Sequence, residues 1–258
     1  MGMPTEQFWL LIRFLQKHYK IAGLSDAVDL LRSGNMTSPT VVLTFDDGYA
    51  DNFVNLRAVA EEAGIPVVLF VAVEPIEFQR PFDHDCDEES KRVLPLTWEQ
   101  ISYWSARGAE FGSHTCTHWD CGSTDRTRLE FELRKSKDYL EARLGKPVRS
   151  FAFPFGSREN MSLQAIQLAT STYPYFASAF GGENLPGDQR DPQHLLRKPC
   201  YADRWELELE LQSVFHWIDA IKRSLLVCNK MMTRPRQPAP AARLFARDAK
   251  DVLSSCQD

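Results

Sequence analysis

The stretch that decides the fold is VVLTFDDGYADNF, residues 41–53. Its first five residues are apolar or β-branched, a composition typical of a short strand buried within a sheet. The run stops at Asp46-Asp47-Gly48, a sequence that favours a tight turn. This pattern predicts a buried strand over 41–45 that carries two neighbouring carboxylates at its carboxyl end.

The regions around this strand repeat an alternation of strand and helix. Short apolar runs predict further strands at 65–73, 109–114, 148–156, 175–179 and 195–198. Helical spacing and capping residues predict helices at 5–18, 25–31, 50–63, 97–108, 126–144, 160–169 and 206–226. Because strands and helices alternate, we expect an α/β fold with a parallel sheet or a (β/α) barrel.

Length and composition exclude several classes of protein. The chain has 258 residues, of which 43% are hydrophobic and 25% charged, and this ordinary usage excludes a disordered or collagen-like chain. No apolar run approaches the roughly 18 residues that a membrane helix needs, so we expect no membrane span. The net charge of −5 argues against nucleic acid as a partner.

The ends of the chain differ from its middle. We expect one sizeable domain over 1–230 and a Pro/Ala-rich C-terminal tail over 231–258, because the tail contains RPRQPAPAAR. The apolar N-terminal segment is broken by Arg13 and lacks a small-residue cleavage site, so it is a poor secretory signal. We therefore expect a cytoplasmic location, and the sequence leaves the oligomeric state open.

Two histidines mark the carboxyl end of the strand predicted at 109–114. His114 and His118 are four residues apart, so a helical turn would place both imidazoles on one face. Two neutral imidazoles and one carboxylate form a three-ligand site with an open position, as in catalytic zinc centres. The alternative is a pair of ordinary surface or core histidines.

The adjacent aspartates are the second chemical signal. Asp46 and Asp47 would repel each other if both were bare and buried, and a nearby cation relieves that repulsion. One of them could then bind the cation while the other stays free as a base, and Gly48 allows the sharp turn that this requires. The alternative is a plain strand-ending turn.

Taken together, these motifs resemble those of the polysaccharide deacetylase family, the NodB-like family 4 carbohydrate esterases. TFDDG and SHTCTH are similar to the first and second motifs of that family, and FAFPFG at 151–156 is similar to the FAYPYG form of the third. The resemblance extends from VVLTFDDGYADNF through LTWEQI at 96–101 and RLGKPVRSFAFPFG at 143–156 to about LLRKP at 195–199.

The resemblance implies a fold and an activity. The fold is a distorted (β/α) barrel, incomplete here because the Tyr-His-containing strand that many relatives place before the first helix is not found. The domain over 1–230 would be the catalytic domain. Its activity would be hydrolysis of N-acetyl groups on an N-acetylated polysaccharide or glycan, which releases acetate and a free amino sugar.

The resemblance also implies roles for particular residues. Asp46 matches the catalytic base, and Phe155 stands where the family offers a backbone N–H to the oxyanion. Asp47, His114 and His118 match the ligands of one divalent ion, for which we expect Zn2+ ahead of Co2+, Ni2+ or Mn2+.

Two expected groups are missing from their usual motifs. Many relatives carry an arginine in the third motif, where Ala152 or Phe153 stands here, and Arg197 could supply that cation if it is not an ordinary surface residue. The histidine that serves relatives as general acid has no clear equivalent. His194 is a candidate, and His216 fits a plain helix position.

Other functions remain open at this stage. The missing groups are compatible with a glycan-binding module that kept the fold and lost the reaction. A glycosidase would use Asp46 and Asp47 as carboxyl groups about 5 Å or more apart, but would leave both histidines idle. A non-haem iron oxygenase also uses two histidines and a carboxylate, although the His spacing and the Asp pair fit it poorly. The identity of the glycan is not readable from the sequence.

Overall fold

The computed structural model describes residues 3–82, 85, 93–185 and 193–212. The strands are β1 (Lys20–Ile21), β2 (Thr40–Val41), β3 (Thr44–Phe45), β4 (Val68–Val71), β5 (Glu110–Ser113), β6 (Ser150–Ala152), β7 (Tyr175–Ser178) and β8 (His194–Leu196). The α-helices are α1 (Thr5–His18), α2 (Leu24–Ser33), α3 (Arg57–Ala63), α4 (Val73–Phe78), α5 (Trp98–Ala106), α6 (Arg126–Glu130), α7 (Ser136–Leu144), α8 (Leu163–Thr172) and α9 (Arg204–Leu211). The predicted tail over 231–258, the domain boundary at 230 and His216 lie outside the described residues.

A curled parallel sheet forms the centre of the fold. Its six strands follow the chain order β3-β4-β5-β6-β7-β8, and every neighbouring pair is parallel. Because all the strands run the same way, their carboxyl ends share one rim, where active residues of α/β proteins collect. The expected α/β half-barrel is confirmed.

The strand predicted at 41–45 is divided between two sheets. Its first part, β2, pairs with β1, and its second part, β3, pairs with β4. The prediction missed β1 because two residues, Lys20 and Ile21, are too short for an apolar pattern. Ahead of α1, residues 3 and 4 form no strand, so within the described residues the barrel stays open there.

Alternate residues of the strands pack into two separate hydrophobic cores. Leu69, Val71 and Phe151 face the layer of helices that includes α3, α5, α7 and α8. Val68 and Phe70, on the opposite face of β4, pack against α2. This division follows from the two-residue period of a strand, and it determines on which face of the sheet each rim residue lies.

Several helices differ in detail from the prediction. The helix predicted at 50–63 contains a π-helical turn over Asn52–Leu56, and the one predicted at 126–144 is interrupted by a π-helical turn over Phe131–Lys135. The prediction missed α4, which begins where a strand was expected to end and carries Pro75 in its first turn, a position that proline tolerates. Among the described helices, none has the length and apolar character needed to cross a membrane.

Candidate metal and catalytic site

The site residues lie where neighbouring strands end. Asp46 and Asp47 follow β3, and the backbone carbonyl of Asp47 accepts a hydrogen bond from Ala72 N–H, just after β4, at 3.2 Å. His114 follows β5, and its backbone N–H donates to the Val71 carbonyl at 2.9 Å. Parallel pairing thus brings the two sequence motifs to one point of the rim.

Asp47 is the residue on which both imidazoles converge. Its Oδ1 lies 3.3 Å from His114 Nε2 and 3.1 Å from His118 Nε2. Its φ of 69° is in the left-handed region, which non-glycine residues rarely adopt. Gly48, with φ of 92°, completes the turn, and a Cβ there would lie 2.9 Å from Val71 Cγ1, so the turn requires glycine.

The two histidines meet Asp47 through a bent loop. The chain does not form a helical turn between His114 and His118: residues 114–118 are irregular, with left-handed φ of 71° at Thr115 and 58° at His118. These two reversals bring the rings together, with centroids 5.0 Å apart. The four-residue spacing therefore brings both imidazoles to one site through two left-handed residues and not through a helical turn.

Hydrogen bonding sets which nitrogen of His114 faces the site. Its Nδ1 lies 2.8 Å from the Ala152 carbonyl, which can only accept, so Nδ1 carries the proton. Nε2 is then the nitrogen that faces Asp47, and it donates to that carboxylate when the ring is protonated. A carbonyl behind one nitrogen is the usual way in which a metal-binding imidazole is oriented.

The electrostatic environment of this cluster favours the charged forms of Asp47 and His114. Burial would raise the pKa of Asp47, but hydrogen bonds to His114 and His118 outweigh it and hold that pKa well below its usual range. Burial would lower the pKa of His114, yet the carboxylates of Asp46 and Asp47 outweigh it, so the pKa lies above the ordinary value. The cluster is an anionic position that a cation or protons would neutralise.

Asp46 is held apart from this cluster by Arg197. The guanidinium donates from Nη1 to Oδ1 at 2.7 Å and from Nη2 to Oδ2 at 2.8 Å, and Nη1 also lies 3.3 Å from Thr44 Oγ1. Burial raises the pKa of Asp46, but the charge of Arg197 outweighs it, so the net pKa lies below the usual value. Since β3 and β8 are the two edges of the sheet, this pair joins the edges at the rim.

Phe155 lies beside the histidine cluster. Its ring centroid is 4.9 Å from that of His118, edge to face, and 55% of the residue is exposed. A left-handed φ of 61° at Phe155 and of 66° at Gly156 makes the turn after β6 tight. The structure thus places this predicted residue at the rim, next to a predicted ligand.

His194 is not brought to the site. It stacks on Phe176 with ring centroids 4.8 Å apart, and its Nε2 lies 2.8 Å from Ser178 Oγ. Phe176 belongs to the core under the helices, whereas Leu195, the next residue, packs in the core with α2. His194 therefore faces away from Arg197, and nothing in its surroundings supports the expected role as general acid.

Sequence reasoning missed one buried charge at the site. Glu132 is fully buried and binds the loop between the two histidines, although it lies in a segment predicted only as an amphipathic helix. A signal was present, because Glu132 falls on the same helical stripe as the buried Leu129 and Leu133. A charged residue on an apolar stripe requires a partner.

A segment of this chain matches the model of a known protein family. The model of the family described as Polysaccharide deacetylase matches residues 33–174, more than half of the chain. This chain belongs to the polysaccharide deacetylase family. The matched segment contains every predicted ligand and Asp46, and ends before His194 and Arg197.

Curated relatives of this chain match over part of their length. The chain is 30% identical over 173 residues to gellan lyase from a Bacillus species, with 66% of this chain and 6% of that protein covered. It is 24% identical over 183 residues to YxkH of Bacillus subtilis (strain 168), provisionally named a polysaccharide deacetylase, with 68% and 61% covered. The chain thus spans less than two thirds of either relative.

A solved structure shares the fold over most of both chains. The deacetylase PplD of Streptococcus pyogenes, in complex with acetate, matches with a TM-score of 0.66 and 18% identity. The match covers 82% of this chain and 88% of that chain. This likeness confirms the deacetylase-type (β/α) half-barrel for this chain.

Proposed function

We propose that this chain is a metal-dependent hydrolase that removes N-acetyl groups from an N-acetylated polysaccharide. The products are acetate and a free amino sugar. The observation that carries the proposal is the convergence of two imidazoles on Asp47. Beside it lies a second carboxylate, Asp46, which is paired with Arg197 instead.

The donor set suits a divalent ion. Asp47, His114 and His118 each offer one ligand atom, and these atoms lie within 4.8 Å of one another. A carboxylate with two imidazoles suits Zn2+ first, and Co2+, Ni2+ or Mn2+ as alternatives. When bound, such an ion lowers the pKa of a water molecule and polarises the carbonyl of the acetamide.

Asp46 would act as the general base. Arg197 keeps its carboxylate ionised and fixes both oxygens, so Asp46 is ready to take a proton from the attacking water. Because both imidazoles contact Asp47, we assign Asp47 as a metal ligand and Asp46 as the base. The same division argues against a glycosidase, which would need both carboxyl groups beside the sugar.

The remaining steps use the rim around the cluster. The backbone N–H of Phe155 would donate to the oxyanion, and one such donor contributes about 3 kcal/mol. The leaving nitrogen must gain a proton, because an amide anion is a poor leaving group. Since His194 faces away, we assign this transfer to Asp46, which returns the proton that it took from water.

Acetate release from N-acetylated oligosaccharides tests the proposal. The wild-type chain, loaded with Zn2+ or Co2+, should release acetate from at least one member of a panel of such glycans. An excess of chelator should abolish the release, and added metal should restore it. Unchanged release in excess chelator would contradict metal dependence, and glycan binding without release under any metal would support the binding-module alternative.

A further inference from the structure

Glu132 is a buried carboxylate with no place in the proposed reaction. Its side chain is 0% exposed, and it lies in the π-helical turn between α6 and α7. None of its described hydrogen bonds or ion pairs involves Asp46 or the three candidate ligands. Its partners are Arg128 and two residues of the loop that connects His114 to His118.

The contacts of Glu132 fall on the middle of that loop. Its Oε2 accepts the backbone N–H groups of Cys116 and Thr117, both at 2.9 Å, and its Oε1 accepts the Thr117 hydroxyl at 2.8 Å. Arg128 completes the set, 2.7 Å from Oε1 and 3.0 Å from Thr117 Oγ1. Hydrogen bonds to a charged acceptor are about twice as strong as neutral ones.

The loop needs such support because its backbone is strained. Thr115 and His118 both have left-handed φ, at 71° and 58°, and they flank the two residues that Glu132 binds. Each such non-glycine residue costs roughly 1–3 kcal/mol and persists only where its surroundings hold it. Glu132 therefore binds the loop between its two backbone reversals, the part of the chain that sets the direction of both imidazoles.

We propose that Glu132 is a positioning residue that holds residues 115–118 in the conformation in which His114 and His118 share one metal ion. This inference rests on the metal site of the proposed function. Outer partners that orient ligands typically contribute roughly 10–100-fold to metal affinity. A purely structural Glu132–Arg128 pair would affect unfolding without changing the geometry of the ligands.

Glu132→Gln tests the inference, because it keeps the size of the side chain and removes its charge. Zn2+ affinity is measured by chelator competition, the absorption bands of bound Co2+ report ligand geometry, and circular dichroism establishes that the metal-free variant is folded. Glu130→Gln is the matched control, since Glu130 pairs with Arg126 on the exposed side two residues earlier. We expect Zn2+ affinity to fall roughly 10–100-fold and the Co2+ bands to shift in Glu132→Gln alone.

Each outcome bears on one hypothesis. A folded Glu132→Gln variant with wild-type Zn2+ affinity and Co2+ bands would overturn the inference. A wild-type chain that binds neither ion would instead contradict the proposed function. If Glu132→Gln does not fold, Thr117→Val removes the hydroxyl that contacts both Glu132 and Arg128 and keeps the backbone contacts to Glu132. Wild-type Zn2+ affinity in that variant would count against the inference.

Discussion

Two histidines of the predicted site lie on one sheet but at opposite strand ends: His114 follows the last residue of β5, and His194 is the first residue of β8. His114 points into the rim, where Asp47 and the Ala152 carbonyl bind its two nitrogens. His194 points to the other face, where it stacks on Phe176. Only Arg197, three residues on, reaches the rim from β8. The comparison teaches that the position along the strand and the face of the sheet, rather than the type of residue, decide which side chains meet.

The largest expected effect is at the β5 end. His118→Ala should reduce Zn2+ affinity by more than the roughly 10–100-fold of an outer-partner change, because a direct ligand is lost. Acetate release at micromolar metal should fall with it. Chelator competition measures the affinity, and His18→Ala, in the last turn of α1, is the control that should bind as the wild type does.

The next effect separates the base from the ligands. Asp46→Asn should lower kcat by about 10²–10⁴-fold, the usual contribution of a general base, while Zn2+ affinity stays close to that of the wild type. Steady-state acetate release and metal titration measure the two quantities. Asp138→Asn, an exposed aspartate 3.5 Å from Lys135, is the matched control. Equal loss of metal and activity would show that Asp46 acts as a ligand instead.

A smaller effect is expected at the β8 edge. Arg197→Lys keeps the charge but cannot donate two parallel hydrogen bonds to Asp46. Since a hydrogen bond to a charged group contributes about 1.5–3 kcal/mol, kcat/KM should fall roughly tenfold or more. Arg204→Lys, in the exposed pair with Glu208, should change nothing. A wild-type kcat/KM in Arg197→Lys would show that the paired hydrogen bonds from Arg197 to Asp46 do not contribute to catalysis.

The smallest effect on activity is expected at His194. His194→Phe should leave acetate release unchanged, because the ring lies on the far face of the sheet. Loss of its contact to buried Ser178 should lower the free energy of unfolding by about 1–3 kcal/mol, measured in urea. A large fall in kcat without a change in metal affinity would restore His194 as general acid.

His194 should also affect the pH dependence of stability. Burial and, after it, the charge of Arg158 lower the pKa of His194 below 6.5. The unfolded chain therefore binds a proton that the folded chain does not, so stability declines as pH falls below about 6.5. In His194→Phe this part of the decline should be absent, and a matching slope in both proteins would contradict the assignment.

Much of the site was predictable because its signals are local. Asp46 and Asp47 end an apolar run, and His114 follows the next-but-one strand, so parallel order alone places them on one rim. A helical turn was one way in which the spacing of His114 and His118 could bring both rings to one face, and the structure instead reverses the backbone at Thr115 and His118. Short-range composition does not encode such left-handed positions outside glycine.

The sequence by itself determined the order of strands and helices, the family, and the residues at each strand end, since these depend on neighbours along the chain. Only the tertiary structure decided that Arg197 meets Asp46, 151 residues away, and that Glu132 supports the ligand loop. The physical reason is that both contacts depend on how far the sheet curls and which face each side chain takes. Packing of the whole chain sets those quantities, and no local pattern contains them.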